Sequence, residues 1–420
     1  MSDPFWYTSG LSHIWLPYSQ MKTAARPLPV VATEGVRLTL ADGRKLIDGV
    51  ASWWTAAHGY NHPHIRAAVE RQLKTLPHVM LGGLAHEQAF ALASRLAALL
   101  PGDLSRVFFS ESGSVSVEIA MKIAVQYWLN QGVKGRTRFV SFKGGYHGDT
   151  FATMAVCDPE EGMHTLFKGV LAEQHVVDLP HDEATLAQFR SFLAARAPQI
   201  AAVILEPLVQ GAGGMRIHEP AILAAIARAC RETNTLLILD EIFTGFGRTG
   251  TLFACEQAGV VPDLITLSKA LTGGTLPLAA TIARTPIFEA FWSDDPHAAL
   301  MHGPTYMGNA LACAAAQASL DLFETEPRLA QVAAIEKQLS VGLGPLRSRP
   351  GIKQVAVKGA IGAVTLDHDP DLTALREAFI ARGVWLKPFD RVVYTTPPLV
   401  IATDELARII EAITAVLARQ

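Results

Sequence analysis

Six short runs are apolar at almost every position: Arg106–Ser110, Arg138–Phe142, Ala202–Leu205, Leu236–Leu239, Leu264–Leu267 and Leu278–Ile282. A strand with one face in water alternates apolar and polar residues. Continuous Val, Ile, Leu and Phe means that both faces are covered. Helical patterns such as Val115–Leu129 and Pro220–Thr233 fall between these runs. Strand and helix in alternation predict an α/β fold with a mostly parallel central sheet.

The C-terminal part reads differently. Helices near Ala310–Glu324 and Arg328–Leu346 lead to strand-like Lys353–Val357 and Ala363–Leu366, a helix near Asp371–Ala381, and a strand Val392–Thr395. In the last helix Thr403 is the expected cap, with Asp404 and Glu405 in the first turn. Leu406, Ile409, Ile410, Ile413, Val416 and Leu417 form its apolar stripe. This is a smaller α+β lobe, and the N-terminal segment, with its turn Ala41–Arg44, is expected to pack against it. The predicted divisions are an N-terminal segment 1–50, a large domain 51–310 and a small domain 311–420. A chain of 420 residues, 50% hydrophobic, can bury cores of that extent.

A net charge of -3 gives no electrostatic case for nucleic acid or an anionic membrane. Cys157, Cys230, Cys255 and Cys313 have no paired spacing, so they read as buried thiols in a reducing compartment, with neither disulfides nor a metal site. The opening MSDPFWYTSG lacks Lys and Arg, so no leader peptide is expected and the predicted location is cytoplasmic. Gly303–Leu320 is uncharged but rich in small residues, and reads as a buried helix rather than a membrane span.

The chemistry centres on two strand ends. Asp240 closes LLILDE, and Lys269 closes LITLSKALTGG. A lysine amine can bond covalently to a cofactor aldehyde, and a carboxylate can keep a pyridinium nitrogen protonated. Pyridoxal 5′-phosphate needs both. Ser112-Gly113-Ser114 opens the helix after RVFFS, where free N–H groups and the helix dipole suit a phosphate. The glycine-rich GGYHG holds Tyr146 and His147, and Glu206 ends the run AAVILE, where it serves the site or pairs with an arginine such as Arg248.

The words DEIFTGFGRTG, SKALTGG, GGYHGDTFATMAVCDP, EPLVQGAGGMR and HGPTYMGNALACAAA resemble those of the class-III pyridoxal-phosphate-dependent aminotransferases over nearly the whole chain. The resemblance implies the fold type I architecture and a homodimer with shared active sites. It gives Lys269, Asp240 and Tyr18 catalytic places, and Gly113, Ser114, Tyr146, Pro304 and Thr305 contacts to the cofactor. Tyr146 covers the ring, Glu206 lies near its edge, and Thr305 reaches the phosphate held by the other subunit. Within the family, IWLPYSQM and LIDGVASWWTAAHGYNHP are most similar to the branch that moves an amino group from S-adenosyl-L-methionine to 8-amino-7-oxononanoate in biotin synthesis. That branch lines its substrate pocket with Trp53, Trp54, Tyr146 and Gly303. Flat aromatic walls suit a long alkyl chain and a sulfonium.

One departure stands out. VWLKPFDRVVY has Lys387 where the family places the arginine that binds the acceptor carboxylate. Lysine neutralises a carboxylate without the bidentate fork, so Lys387, the nearby Arg391 or a different acceptor are the alternatives, with Tyr394 within reach of the same pocket. A competing reading is a class-III ω-amino acid or diamine aminotransferase using pyruvate or 2-oxoglutarate. A more distant one is a non-catalytic pyridoxal-phosphate-binding protein. The donor is open too, because some relatives use lysine.

Overall fold

The computed structural model describes residues 3–159 and 165–419. Near the N-terminus β1 (Val30–Glu34), β2 (Arg37–Leu40) and β3 (Lys45–Asp48) form an antiparallel meander, and Gly43 supplies the positive φ of the turn between β2 and β3. The large lobe holds β4 (Leu104–Ser110), β5 (Arg138–Phe142), β6 (His175–Val177) and β7 (Ile200–Leu205). A small hairpin, β8 (Val209–Gln210) and β9 (Arg216–Ile217), is followed by β10 (Leu236–Asp240), β11 (Leu264–Leu267) and β12 (Ala279–Arg284).

The central seven-stranded sheet runs β4-β12-β11-β10-β7-β5-β6. Its neighbours are parallel except β12, which is antiparallel to both β11 and β4. The exception follows from connection length. Residues 268–278 hold only a short 3-10 turn, whereas a parallel return needs a crossover helix. All six apolar runs form strands of this sheet, and β7, β10 and β11 are buried at every position. The helices Gly113–Asn130 and Pro220–Glu232 lie where the pattern put them. The edge strand β6 was not foreseen, being three half-buried residues with no clear period.

In the small lobe β13 (Ile352–Lys358) and β14 (Ile361–Leu366) pair, β15 (Val384–Trp385) joins β3 in parallel, and β16 (Val392–Thr395) pairs with β14. The β3–β15 pairing fastens the N-terminal meander to the C-terminal lobe. Two expectations need correction. Ala402, not Thr403, caps the last helix, because Glu405 reaches back to accept the Ala402 N–H at 3.3 Å. The helix from Arg328 stops at Leu343 and tightens into a 3-10 turn containing Pro345, which lacks an N–H to continue it.

The proposed division at 310/311 also meets its packing here. Helix Ala310–Thr325 lies against helix Pro63–Leu73 and the turn that carries Lys269, so we place the division after it, near Glu326. Its buried alanines allow that close approach. The cysteines are buried and free. Among the described residues no helix is long and apolar enough to cross a membrane, and no cluster of metal-ligating side chains occurs.

Candidate active site

Asp240 ends β10 and Lys269 lies just beyond its parallel neighbour β11, at the carboxyl edge of the sheet, where open α/β sheets place their ligands. Lys269 has φ +43 and starts the turn Lys269–Thr272, which Gly273 ends at φ +61. A cavity of about 160 Å³ lies there, lined by Trp54, Gly113, Ser114, Tyr146, Asp240 and Lys269 among others.

Asp240 is fixed from several sides. Its Oδ2 lies 2.8 Å from His147 Nδ1, while Oδ1 accepts the Ile242 N–H at 3.1 Å and the Thr266 hydroxyl at 3.3 Å. His147 thus orients the carboxylate, and its own Nε2 is buried with no partner among the described residues. The Lys269 amine sits 4.3 Å from the Trp54 ring centroid and 5.8 Å from that of Phe243. Burial pulls its pKa down to about 8, against the opposing charges of Asp240 and Glu206.

Glu206 accepts N–H groups from Tyr146 at 3.1 Å and Gly211 at 2.9 Å. Burial pushes its carboxyl up to about 7, with His147 opposing and Asp240 adding to the rise. Its pairing with Arg248 is not found. The Arg248 guanidinium donates to the carbonyls of Pro397 at 2.8 Å and Ala360 at 3.2 Å.

Ser112 caps helix Gly113–Asn130, its hydroxyl accepting the Val115 N–H at 3.4 Å. A Cβ on Gly113 would stand 2.9 Å from Ile242 Cδ1, so no larger residue fits there without a shift. Ser114 lines the cavity, and its hydroxyl accepts the Asp149 N–H at 3.2 Å.

The tryptophan pair rides on an unusual backbone. Ala51, Ser52, Trp53 and Trp54 have φ of +47, +46, +55 and +73, a left-handed turn with no glycine in it. Each such residue costs about 1–2 kcal/mol. Trp54 is buried against Phe243, with ring centroids 4.4 Å apart, and Tyr394 lies behind it at 6.4 Å. Trp53 is partly exposed and outside the cavity lining, and the Lys387 amine stands 4.0 Å from its ring centroid. Burial, and then Arg376, hold the Lys387 pKa below the usual lysine range. Arg391, the alternative, is tied at 2.6 Å to exposed Asp369.

The Tyr18 ring meets Trp53 edge-on at 6.1 Å. Its hydroxyl bonds to Tyr146 at 3.2 Å and donates to Asp149. Burial and then Asp149 push the Tyr18 pKa up to about 12. Asp149 was not singled out from the sequence, although it directly follows GGYHG.

Gly303, Pro304 and Thr305 do not line the cavity of their own chain, and Thr305 is exposed. Lys122 anchors the base of that segment through the Met301 carbonyl at 2.8 Å and His302 Nδ1 at 3.1 Å.

The chain matches the family described as aminotransferase class-III over residues 18–417. It is 43% identical over 406 residues to the adenosylmethionine-8-amino-7-oxononanoate aminotransferase of Corynebacterium glutamicum, covering 96% of each chain. A crystal structure of the Methanocaldococcus jannaschii protein of that name superposes with a TM-score of 0.93 at 32% identity, over 98% of both chains. A PLP-bound amine transaminase from an uncultivated Pseudomonas species gives a TM-score of 0.91 at 33% identity, over 97% of this chain and 98% of that one.

Proposed function

The chain belongs to the class-III aminotransferases and is an enzyme, and on that premise we propose that it transfers the amino group of S-adenosyl-L-methionine to 8-amino-7-oxononanoate. The products are S-adenosyl-4-methylthio-2-oxobutanoate and 7,8-diaminononanoate. The observation that carries this reading is the pair Trp53 and Trp54: the Lys269 amine lies 4.3 Å from the Trp54 ring centroid, in the cavity lining, and the Lys387 amine 4.0 Å from the Trp53 ring centroid, outside that lining. We read the two rings as one apolar wall. That wall suits an acceptor with a ketone at one end of an alkyl chain and a carboxylate at the other.

The residues present fit pyridoxal 5′-phosphate. Gly113 and Ser114, at the start of an 18-residue helix, suit a phosphate. Asp240, held by His147, suits a protonated ring nitrogen. The cofactor, when bound, acts as a sink for the electrons left when a proton leaves the carbon bearing the amino group. Lys269 holds the cofactor and, once its amine is free, carries that proton. With a pKa of about 8, part of the amine is the free base near neutral pH. Glu206 and Tyr146 line the same cavity, where Glu206 would stand near the edge of the cofactor ring and Tyr146 would cover it. Tyr18, hydrogen-bonded to Tyr146, closes the pocket beside Trp53. Lys387 neutralises the acceptor carboxylate, and we assign Gly303, Pro304 and exposed Thr305 to the site of a second copy in a homodimer.

The test is a coupled assay. Purified protein with the cofactor and both substrates should form 7,8-diaminononanoate, detected by mass spectrometry. Pyruvate or 2-oxoglutarate accepting amines from diamines, with no 7,8-diaminononanoate formed, would favour the ω-aminotransferase reading.

A further inference from the structure

Residues 51–54 hold four consecutive non-glycine positive φ angles, and a backbone of that kind persists only where its surroundings impose it. Backbone bonds from the Trp54 N–H to Val50 and from the Thr55 and Ala56 N–H groups to Ala51 close the turn, and one buried carboxylate takes up donors around it. Asp48, at the end of β3, is 1% exposed, and among the described residues no cation pairs with it. Instead it collects donors. Oδ1 accepts the Val50 N–H at 2.8 Å; Oδ2 accepts the Ser52 N–H at 2.9 Å and the Tyr60 hydroxyl at 2.5 Å. The Ser52 and Tyr60 hydroxyls also bond to each other. Burial raises the carboxyl's pKa, and these donors pull against that rise.

From this network we infer that Asp48 is a positioning residue for transamination: it locks the left-handed turn and so sets Trp54 in the cavity beside Lys269 and Trp53 beside Lys387. The chain of effect is short. Ser52 precedes Trp53, whose ring carries the Lys387 amine at 4.0 Å. Trp54 follows, with the Lys269 amine 4.3 Å from its ring. Relaxing the turn swings the wall at both ends while leaving every group that touches the reacting atoms chemically unchanged. The inference deepens the proposed function and rests on it for the identity of the acceptor.

The test is Asp48→Asn. An amide keeps one acceptor oxygen and turns an NH₂ toward the donors, so the N–H of Val50 or Ser52 is left unsatisfied. The acceptor KM should rise about 10-fold or more, the scale of one buried unmet hydrogen bond, with kcat changing less than about 3-fold. Near-UV circular dichroism from the tryptophans should change in the same variant, a readout that needs no substrate. Adding Ala51→Gly should recover most of both losses, because glycine adopts positive φ without strain. Should Asp48→Asn fail to fold, Tyr60→Phe, which deletes one donor, must shift KM and the tryptophan signal the same way. An unchanged KM and spectrum, or losses that Ala51→Gly does not recover, would overturn the inference. Wild-type protein that makes no 7,8-diaminononanoate would sink the functional reading instead, and the tryptophan spectra would still decide the role of Asp48.

Discussion

Removing the Lys387 amine separates the two halves of the proposed reaction. The amine is half-buried, 4.0 Å from the Trp53 ring centroid, and Arg376 is the charge that acts on it. A charge-assisted contact to a carboxylate at such a place contributes about 1.5–3 kcal/mol, so Lys387→Ala should lower acceptor kcat/KM about 10- to 100-fold. Arg376 remains as a longer-range positive charge, which favours the lower part of that range. The donor half-reaction should change little. Lys387→Arg should be tolerated or lower the acceptor KM, since guanidinium adds the bidentate fork and also stacks on tryptophan. Each half-reaction can be followed by cofactor absorbance in single turnovers. Arg391→Ala is the counter-test: its guanidinium is tied to Asp369 at the surface, so it should cost less than about 3-fold. A crippled acceptor step in Arg391→Ala, beside a normal one in Lys387→Ala, would refute the reasoning. If neither variant matters, the acceptor is not 8-amino-7-oxononanoate.

Three further outcomes are expected. Purified protein should be yellow, and Lys269→Ala should lose transamination while still binding the cofactor noncovalently; full activity in that variant would remove the role given to Lys269. Mixing Lys269→Ala and Thr305→Ala subunits should restore activity, since a heterodimer with shared sites carries one site with both defects and one with neither. Proven subunit exchange without recovery would count against shared sites. In the cofactor-free protein the Lys269 amine titrates near 8 when folded, against 10.5 when unfolded. The unfolded chain binds more protons between those values, so the penalty of burying the amine is full below pH 8 and fades toward 10.5, by about 3 kcal/mol at most. Lys269→Met should therefore raise Tm most near pH 7.5 and least near pH 10, and a gap that ignores pH would contradict this.

How much the sequence disclosed depended on how local the cause was. Continuous apolar runs revealed the buried strands, because burial on both faces leaves its mark on the residues themselves. The positions of Asp240 and Lys269 at strand ends followed from the same runs, whereas the adjacency of those strands came from the sheet order. The left-handed turn at Ala51–Trp54 left no local mark: it carries no glycine, and the groups that hold it come from β3 and from Tyr60. Asp149 carries no local signal, since the Tyr18 hydroxyl that donates to it comes from far away in sequence. The pairing of Arg391 with Asp369, which bears on its rivalry with Lys387, is one that no spacing foretells. A change of pattern marks where elements begin, not what they pack on: helix Ala310–Thr325, which follows the 310/311 change, lies against the turn bearing Lys269.

The most direct measurement is a donor screen in which S-adenosyl-L-methionine, lysine and simple diamines are each offered with 8-amino-7-oxononanoate, and 7,8-diaminononanoate is quantified against the keto product of the donor. Equal amounts of the two products with S-adenosyl-L-methionine, lost in Lys269→Ala, is the expected result. No diaminononanoate from any donor, with ready transfer from diamines to pyruvate, would contradict the proposed function.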